Sequence, residues 1–365
     1  MTEETLRITY NVRATAADIH ARAESLLLEQ TVELPRAALR DREMAQRMVG
    51  RVEDVLEVSP GVHRVTLSQP LAATASDPAQ LLNVIFGNSS LQPDVVLADV
   101  DLPGPAFDWL PGPRAGLDGI RARTGVIGRP LLATALKPMG LGVPQLAALC
   151  RTFATAGIDL VKDDHGLADH AFCPFEARVE ACLRATEGTS TVYVPNLIGT
   201  PERVFAQLGF ARRAGVAAVL LSPMVVGLPL LHQLATMPDG LPVLAHPSLA
   251  GVLRADETVL FGKLFRWYGA DAVIFPHAGG RFSYDGKTCR AIAQALRAAH
   301  PRVRPSCPAP AGGIKLDRIE ETVAFYGPDC ILLIGGSLYE TGDLIGERTR
   351  ALVDRVARMT LAEGR

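Results

Sequence analysis

The sequence predicts an α/β protein in two parts: a small α+β domain over residues 1–115 and a (β/α)8 barrel over residues 116–365. Three observations predict it. Eight short apolar runs recur between residues 131 and 334 at intervals of roughly 25–30 residues, about the length of a strand–helix unit. The runs lack polar alternation, as strands of a parallel sheet covered on both faces do. Residues 101–116, DLPGPAFDWLPGPRAG, are dense in proline and glycine, break regular structure and mark the domain boundary.

In the first part, residues 6–12 alternate as a strand and residues 16–29 carry apolar positions at helical spacing. Residues 62–67 alternate again, and residues 78–86 form a second helix. In the second part the expected strands are residues 131–136, 158–161, 191–194, 217–221, 242–245, 272–275, 306–309 and 330–334. Eight such units favour a closed barrel over an open sheet.

Composition agrees and narrows the function. With 48 % hydrophobic and 21 % charged residues the chain can bury a large core, which excludes wholesale disorder. Lys+Arg 37 against Asp+Glu 39 leaves a formal charge of −2 without like-charge runs, so neither nucleic acid nor a membrane surface is an expected partner. No apolar run approaches the roughly 18 residues of a membrane span. The six scattered cysteines form no CxxC pair and are expected as free buried thiols. The opening Met1-Thr2-Glu3-Glu4 lacks the apolar core of a secretion signal, so a cytoplasmic protein is expected.

Chemistry in such barrels gathers at the carboxyl ends of the strands. The residues there are Lys137-Pro138, Lys162-Asp163-Asp164-His165, Asn196, Ser222-Pro223, His246-Pro247, His277 with Gly279-Gly280-Arg281, Gly312-Gly313 and Gly335-Gly336. Asp164 and His165 offer oxygen and nitrogen ligands to a divalent cation, and Lys162 precedes Asp164 by two residues. An ammonium repels a cation, but carbon dioxide addition would turn Lys162 into a carbamate, giving three ligands suited to Mg²⁺. A solvated Lys–Asp cluster is the alternative. The glycine pairs after strands seven and eight allow backbone N–H groups to approach a phosphate, or are simply tight turns. Lys137 is a candidate acid or base if neighbouring cations lower its basicity, or a surface salt-bridge lysine. His246 faces the mouth as a candidate catalytic group or as a structural histidine. His277 and Arg281 are candidate contacts to an anionic substrate, or part of a loop without a role. In the first domain Glu29 and Asn88 read as polar helix ends.

These motifs resemble the large subunit of ribulose-bisphosphate carboxylase, and specifically its non-carboxylating relatives, the RuBisCO-like proteins. The resemblance spans essentially the whole chain and is carried by Leu136-Lys137-Pro138, by GIDLVKDD at residues 157–164, by Phe86-Gly87-Asn88 and by the two glycine pairs in order. It implies a ferredoxin-like N-terminal domain followed by a TIM barrel. It implies that Lys162 is the carbamylated lysine, that Asp164 ligates Mg²⁺ with His165 where a glutamate is usual, and that Lys137 handles protons during enolisation. Asn88 and Glu29 correspond to residues that the N-terminal domain supplies to a partner subunit, so a homodimer with shared sites is implied. Asn196 and His246 match polar residues after strands three and five, and Gly312, Gly313, Gly335 and Gly336 match a phosphate cradle.

The departures from the carboxylase pattern direct the functional expectation. Met139 stands for a second lysine, Pro247 for an arginine on the second phosphate, Ala250 for a histidine and Ala311 for a serine, and residues 275–282 carry no lysine to polarise carbon dioxide. Each lost charge-assisted bond is worth about 1.5–3 kcal/mol. Carbon dioxide fixation is therefore not expected. The resemblance implies a Mg²⁺-dependent isomerase of a singly phosphorylated ketose in methionine salvage, with 5-methylthioribulose 1-phosphate as the expected substrate, as in the photosynthetic-bacterial branch. The alternatives are a diketo-methylthiopentyl phosphate enolase, a sugar-acid phosphate decarboxylase, or a non-catalytic binding or stress protein.

Overall fold

The computed structural model describes residues 4–363, with side chains to residue 359; Met1-Thr2-Glu3, on which part of the leader expectation rests, lies outside the described residues. Packing divides the chain into two units, Met1–Pro111 with Ala250–Leu264, and Gly112–Leu249 with Phe265–Arg365. The division falls before the 115/116 boundary expected from the proline–glycine stretch, and it assigns to the first unit a segment expected in the barrel.

The first unit holds strands β1 (Thr5–Arg13), β2 (Arg51–Ser59), β3 (Val62–Pro70) and β4 (Val95–Asp101), with helices α1 (Ile19–Glu29), α2 (Arg42–Met48) and α3 (Pro78–Phe86). The sheet is antiparallel in the order β2-β3-β1-β4, the ferredoxin-like βαββαβ arrangement. Strand β1 alternates buried Leu6, Ile8, Tyr10 and Val12 with more exposed positions, so one face of the strand is buried, and α1 buries Ala23 and Leu27 among others. Lys263 ties Ala250–Leu264 to this unit: its Nζ donates to Asp99 Oδ1 at 2.7 Å, Val100 O at 2.8 Å and Asp101 Oδ1 at 2.9 Å.

The second unit is a parallel barrel. After α4 (Gly116–Thr124) come β5 (Leu131–Leu136), α5 (Val143–Thr155), β6 (Leu160–Asp163), α6 (Phe175–Thr186), β7 (Val192–Val194) and β8 (Asn196–Leu197). Strands β9 (Val219–Leu221), β10 (Val243–Ala245), β11 (Ala272–Pro276), β12 (Cys307–Ala311) and β13 (Ile331–Leu333) follow. The order is β7-β6-β5-β13-β12-β11-β10-β9-β8. Its two end strands are successive pieces of one chain segment, interrupted at Pro195, which has no N–H to donate to a ladder. The nine strands thus fill eight barrel positions, and the ring is nearly closed.

Alternation decides which side chains face inward. Leu131, Ala133, Leu160, Val192, Val194, Leu220, Leu244, Ala272, Ile274, Cys307, Ala309, Ile331 and Leu333 form one buried cluster. The same period of two carries forward from Ala133 to Lys137, from Leu160 to Lys162 and Asp164, from Leu244 to His246, and from Leu333 to Gly335. The six cysteines are free and buried. Among the described residues no helix is long and apolar enough to cross a membrane.

Candidate active site

One cavity of about 1080 Å³ opens within the barrel unit and is lined by Lys137, Lys162, Asp164, His165, His246, Arg281, Gly312, Gly313, Gly335 and Gly336 among others. Ten of the residues singled out in the sequence therefore share one chamber. Lys137, just past β5, places Nζ 2.7 Å from Asp164 Oδ1, and His165 Nδ1 lies 3.4 Å from the same oxygen. Burial alone would raise the Asp164 pKa, but the hydrogen bonds from His165 and Lys137 and the charge of Lys162 outweigh it and hold the carboxyl well below its usual range.

Lys162 is 3 % exposed, and its Nζ donates to the main-chain oxygen of Asp163 at 2.9 Å. Burial lowers its pKa to about 8, with Asp164 opposing the shift and Lys137 reinforcing it. The lowered proton affinity favours the neutral amine, which is the form that attacks carbon dioxide. His246 stacks on His165 with centroids 4.1 Å apart and planes 11° from parallel. Its Nδ1 accepts the Ser248 N–H at 3.1 Å, leaving Nε2 as the protonated nitrogen of the neutral ring. Burial first, then Lys162 and His165, lower the His246 pKa to about 2, so this ring is a neutral hydrogen-bonding group and not a cationic acid.

Among the described residues no three His, Cys, Asp or Glu side chains cluster as a metal site. The candidate donor set is Asp164, His165 and Lys162, and it suits a divalent cation once Lys162 contributes oxygen as a carbamate. The amine's burial and lowered proton affinity are compatible with that conversion.

The glycine pairs differ from one another. An added Cβ at Gly335 or Gly336 would meet nothing within 4 Å, so their backbone borders open space. Gly313 has φ +120°, and a Cβ there would lie 2.6 Å from Gly280 Cα. The loop after β11 folds directly over it, with Arg281 N donating to Gly312 O at 2.7 Å. Gly313→Ala is expected to cost about 1–3 kcal/mol through backbone strain and this clash, read as a lower denaturant midpoint. Gly336→Ala, in open space, should leave the midpoint unchanged.

Two expected substrate contacts do not line this cavity. Asn196 is fully buried; its Nδ2 donates to His165 O at 2.9 Å and Leu167 O at 3.1 Å, so the amide braces the loop and does not line the cavity. His277 lines an adjoining cavity of about 200 Å³, with Nδ1 3.3 Å from the Tyr326 hydroxyl. In the first unit Asn88 Nδ2 donates to Glu29 Oε1 at 2.9 Å, so these two form a pair. Gln30 supports it by accepting Ser89 N–H at 3.2 Å and donating to Val84 O at 2.8 Å.

Sequence reasoning left several residues unassigned. Asp163, of opposite parity to Lys162 and Asp164, points into the helix layer. There Arg178 Nε of α6 donates to Oδ2 at 3.0 Å, the Tyr193 hydroxyl to Oδ1 at 2.7 Å and Asn196 N to Oδ2 at 3.1 Å. Strand alternation alone would have separated Asp163 from its neighbours. Lys315 and Ser248 also line the cavity, and Tyr339 contacts the main chain of Lys137.

Residues 116–365 match the family model of the ribulose bisphosphate carboxylase large chain, catalytic domain. The chain is 47% identical over 361 residues to ribulose bisphosphate carboxylase-like protein 1 of Rhodopseudomonas palustris, covering 97% of this chain and 98% of that protein. It is 44% identical over 359 residues to a 5-methylthioribulose-1-phosphate isomerase of Rhodospirillum rubrum, covering 96% of each. The crystal structure of a Rubisco-like protein from Rhodopseudomonas palustris superposes with a TM-score of 0.90 at 43% identity, covering 98% of both chains.

Proposed function

This chain belongs to the ribulose bisphosphate carboxylase large-chain family, and from that premise we propose that it is a Mg²⁺-dependent isomerase of 5-methylthioribulose 1-phosphate that does not fix carbon dioxide. The observation that carries the proposal is the meeting of Lys137 and Asp164 at 2.7 Å, with buried Lys162 and the open Gly335-Gly336 backbone in the same cavity.

The lining favours one phosphate and an apolar tail. Pro247 and Ala311, which replace polar groups of the carboxylase pattern, both line the cavity, as do Leu249, Phe282 and Leu316. That apolar side suits a methylthio group, whereas a second phosphate there would lose its charge-assisted bonds. The main chain of Gly335 and Gly336 is offered to the single phosphate, with Arg281 as a further cationic contact.

Asp164, His165 and carbamylated Lys162 would hold the cation, which supplies polarisation of the ketose carbonyl and its neighbouring hydroxyl. Lys137 is the side chain placed to hold and move the proton at the adjacent carbon. Neutral His246 offers its Nε2–H to a substrate oxygen without changing charge. The resemblance also extends to assembly: Asn88 and Glu29 are assigned to the barrel site of a second copy in a homodimer. Asn88→Ala is accordingly expected to reduce turnover with metal binding intact; unchanged turnover would argue against the shared site.

Incubation with 5-methylthioribulose 1-phosphate, Mg²⁺ and bicarbonate, followed by ³¹P NMR, tests the reading. An isomeric monophosphate product is expected, and labelled bicarbonate with ribulose 1,5-bisphosphate should give no carboxylated product. Turnover of a diketo-methylthiopentyl phosphate alone would favour the enolase. Turnover of a sugar-acid phosphate alone would favour the decarboxylase. Silence with every compound would favour a non-catalytic role.

A further inference from the structure

The short helix Gly336–Tyr339 begins at the second glycine of the open pair and is tied to the loop after β12 and to the end of β5. The Ser337 hydroxyl donates to Ile314 O in the loop after β12. The Tyr339 hydroxyl donates to Ala135 O at 2.8 Å and accepts the Lys137 N–H at 2.9 Å.

These last two bonds occupy an edge of β5 that its neighbour has left. Strand β13 pairs with β5 only as far as Leu333 opposite Ala133, and Ile334 N closes the ladder on Ala133 O at 2.8 Å. Beyond that point the Ala135 carbonyl and the Lys137 N–H face no strand. One phenol satisfies both, standing in for the missing ladder. Phe153, fully buried, packs edge-on against the ring at 5.9 Å and 68° and fixes its position. Burial pushes the Tyr339 pKa up to about 12, so the hydroxyl stays protonated and able to donate.

We infer that Tyr339 is a positioning residue: it fixes the main chain of Lys137, and with it the lysine's reach to Asp164, and links that placement to the Gly335-Gly336 loop. The inference rests on the assignment of Lys137 to proton transfer. Nothing in the phenol's position requires it to touch substrate, and its effect is exerted through the lysine.

Tyr339→Phe tests this, because it deletes the hydroxyl and keeps the ring against Phe153. The Lys137 amide should exchange with deuterated solvent about fivefold faster or more, the expected effect of losing one hydrogen bond. Turnover should fall about tenfold with KM changed by less than about twofold, since small displacements of a proton-transfer group act on the chemical step. The unfolding midpoint should stay within about 2 °C of the parent. An unchanged Lys137 amide overturns the inference, as does an unchanged kcat. So does a fall in activity that tracks only a lowered unfolding midpoint. The exchange readout needs no substrate. If the parent protein turns over no candidate ketose phosphate, the functional reading fails while the clamp is still judged by the amide.

Discussion

Lys137→Met is expected to lower the rate of carbon-bound proton transfer by about 10²–10⁴-fold, the range for removing a positioned acid–base group. Methionine preserves the length and most of the packing of the lysine stem, and the Lys137 side chain is 41% exposed, so folding should be little affected. Steady-state kinetics with 5-methylthioribulose 1-phosphate read the loss in kcat, and an unfolding curve provides the control. Retention of more than about a tenth of the parental kcat would be too small an effect for general acid–base loss and would move the proton-transfer role to another group. The carbamate proposed on Lys162 is the first candidate, because Lys162 lines the same cavity.

The second large effect concerns stability. Arg178→Met strands the Asp163 carboxylate, which shares with Arg178 a side-chain exposure of 0%. Removing one partner of a buried ion pair costs about 3–5 kcal/mol, because the remaining charge is left in a poorly solvating interior. Tyr193 and the Asn196 main chain still donate to Asp163 and limit the loss. Asp163→Asn should cost a comparable amount, and the double substitution less than the sum, as coupled neighbours do. Denaturant midpoints at fixed slope measure all three. Strictly additive losses would mean that Asp163 and Arg178 do not act as a pair. The damage should also spread to the site, since Asp163 lies between Lys162 and Asp164 and its bonds set the direction of the strand end that presents them.

Much of this architecture was legible because the barrel strands are unbroken apolar runs, and their ends carry groups that have no place in a core. Lys137, Lys162, Asp164 and His246 were readable as a set for that reason. Register was less secure. The second barrel strand was expected at residues 158–161 and lies at Leu160–Asp163, because the run Ile158-Asp159 is spent on entry. There Asp159 pairs with Arg129 at 2.7 Å and caps Leu132 N at 2.7 Å. In the first unit β2, RVEDVLEVS, escaped notice because an edge strand exposed on both faces carries charges where a core strand would alternate. Strand β4 escaped for a different reason: its run VVLADVD leads into the proline–glycine stretch read as the boundary.

Side-chain direction was the larger gap. Asn196 and His277 both sit at strand ends, as catalytic residues do, yet one braces the loop behind the cavity and the other turns to Tyr326. Position along a strand gives the neighbourhood of a residue; the hydrogen bonds available to it decide which way it faces. Tyr339 was invisible for the same reason, since its partners are main-chain atoms about two hundred residues earlier. The glycine pair at Gly312 and Gly313 shows the converse, where a pair expected as a phosphate cradle contains a glycine that the approach of another loop requires.

The most direct measurement of the account is solvent deuterium exchange at the carbon next to the carbonyl of 5-methylthioribulose 1-phosphate, followed by proton NMR. With Mg²⁺ and bicarbonate present, the parent protein should wash out that proton signal, while Lys137→Met and Lys162→Met should leave it intact. A signal that persists with the parent protein, or exchange that continues undiminished in both variants, would contradict the assignment of enolisation to this cavity.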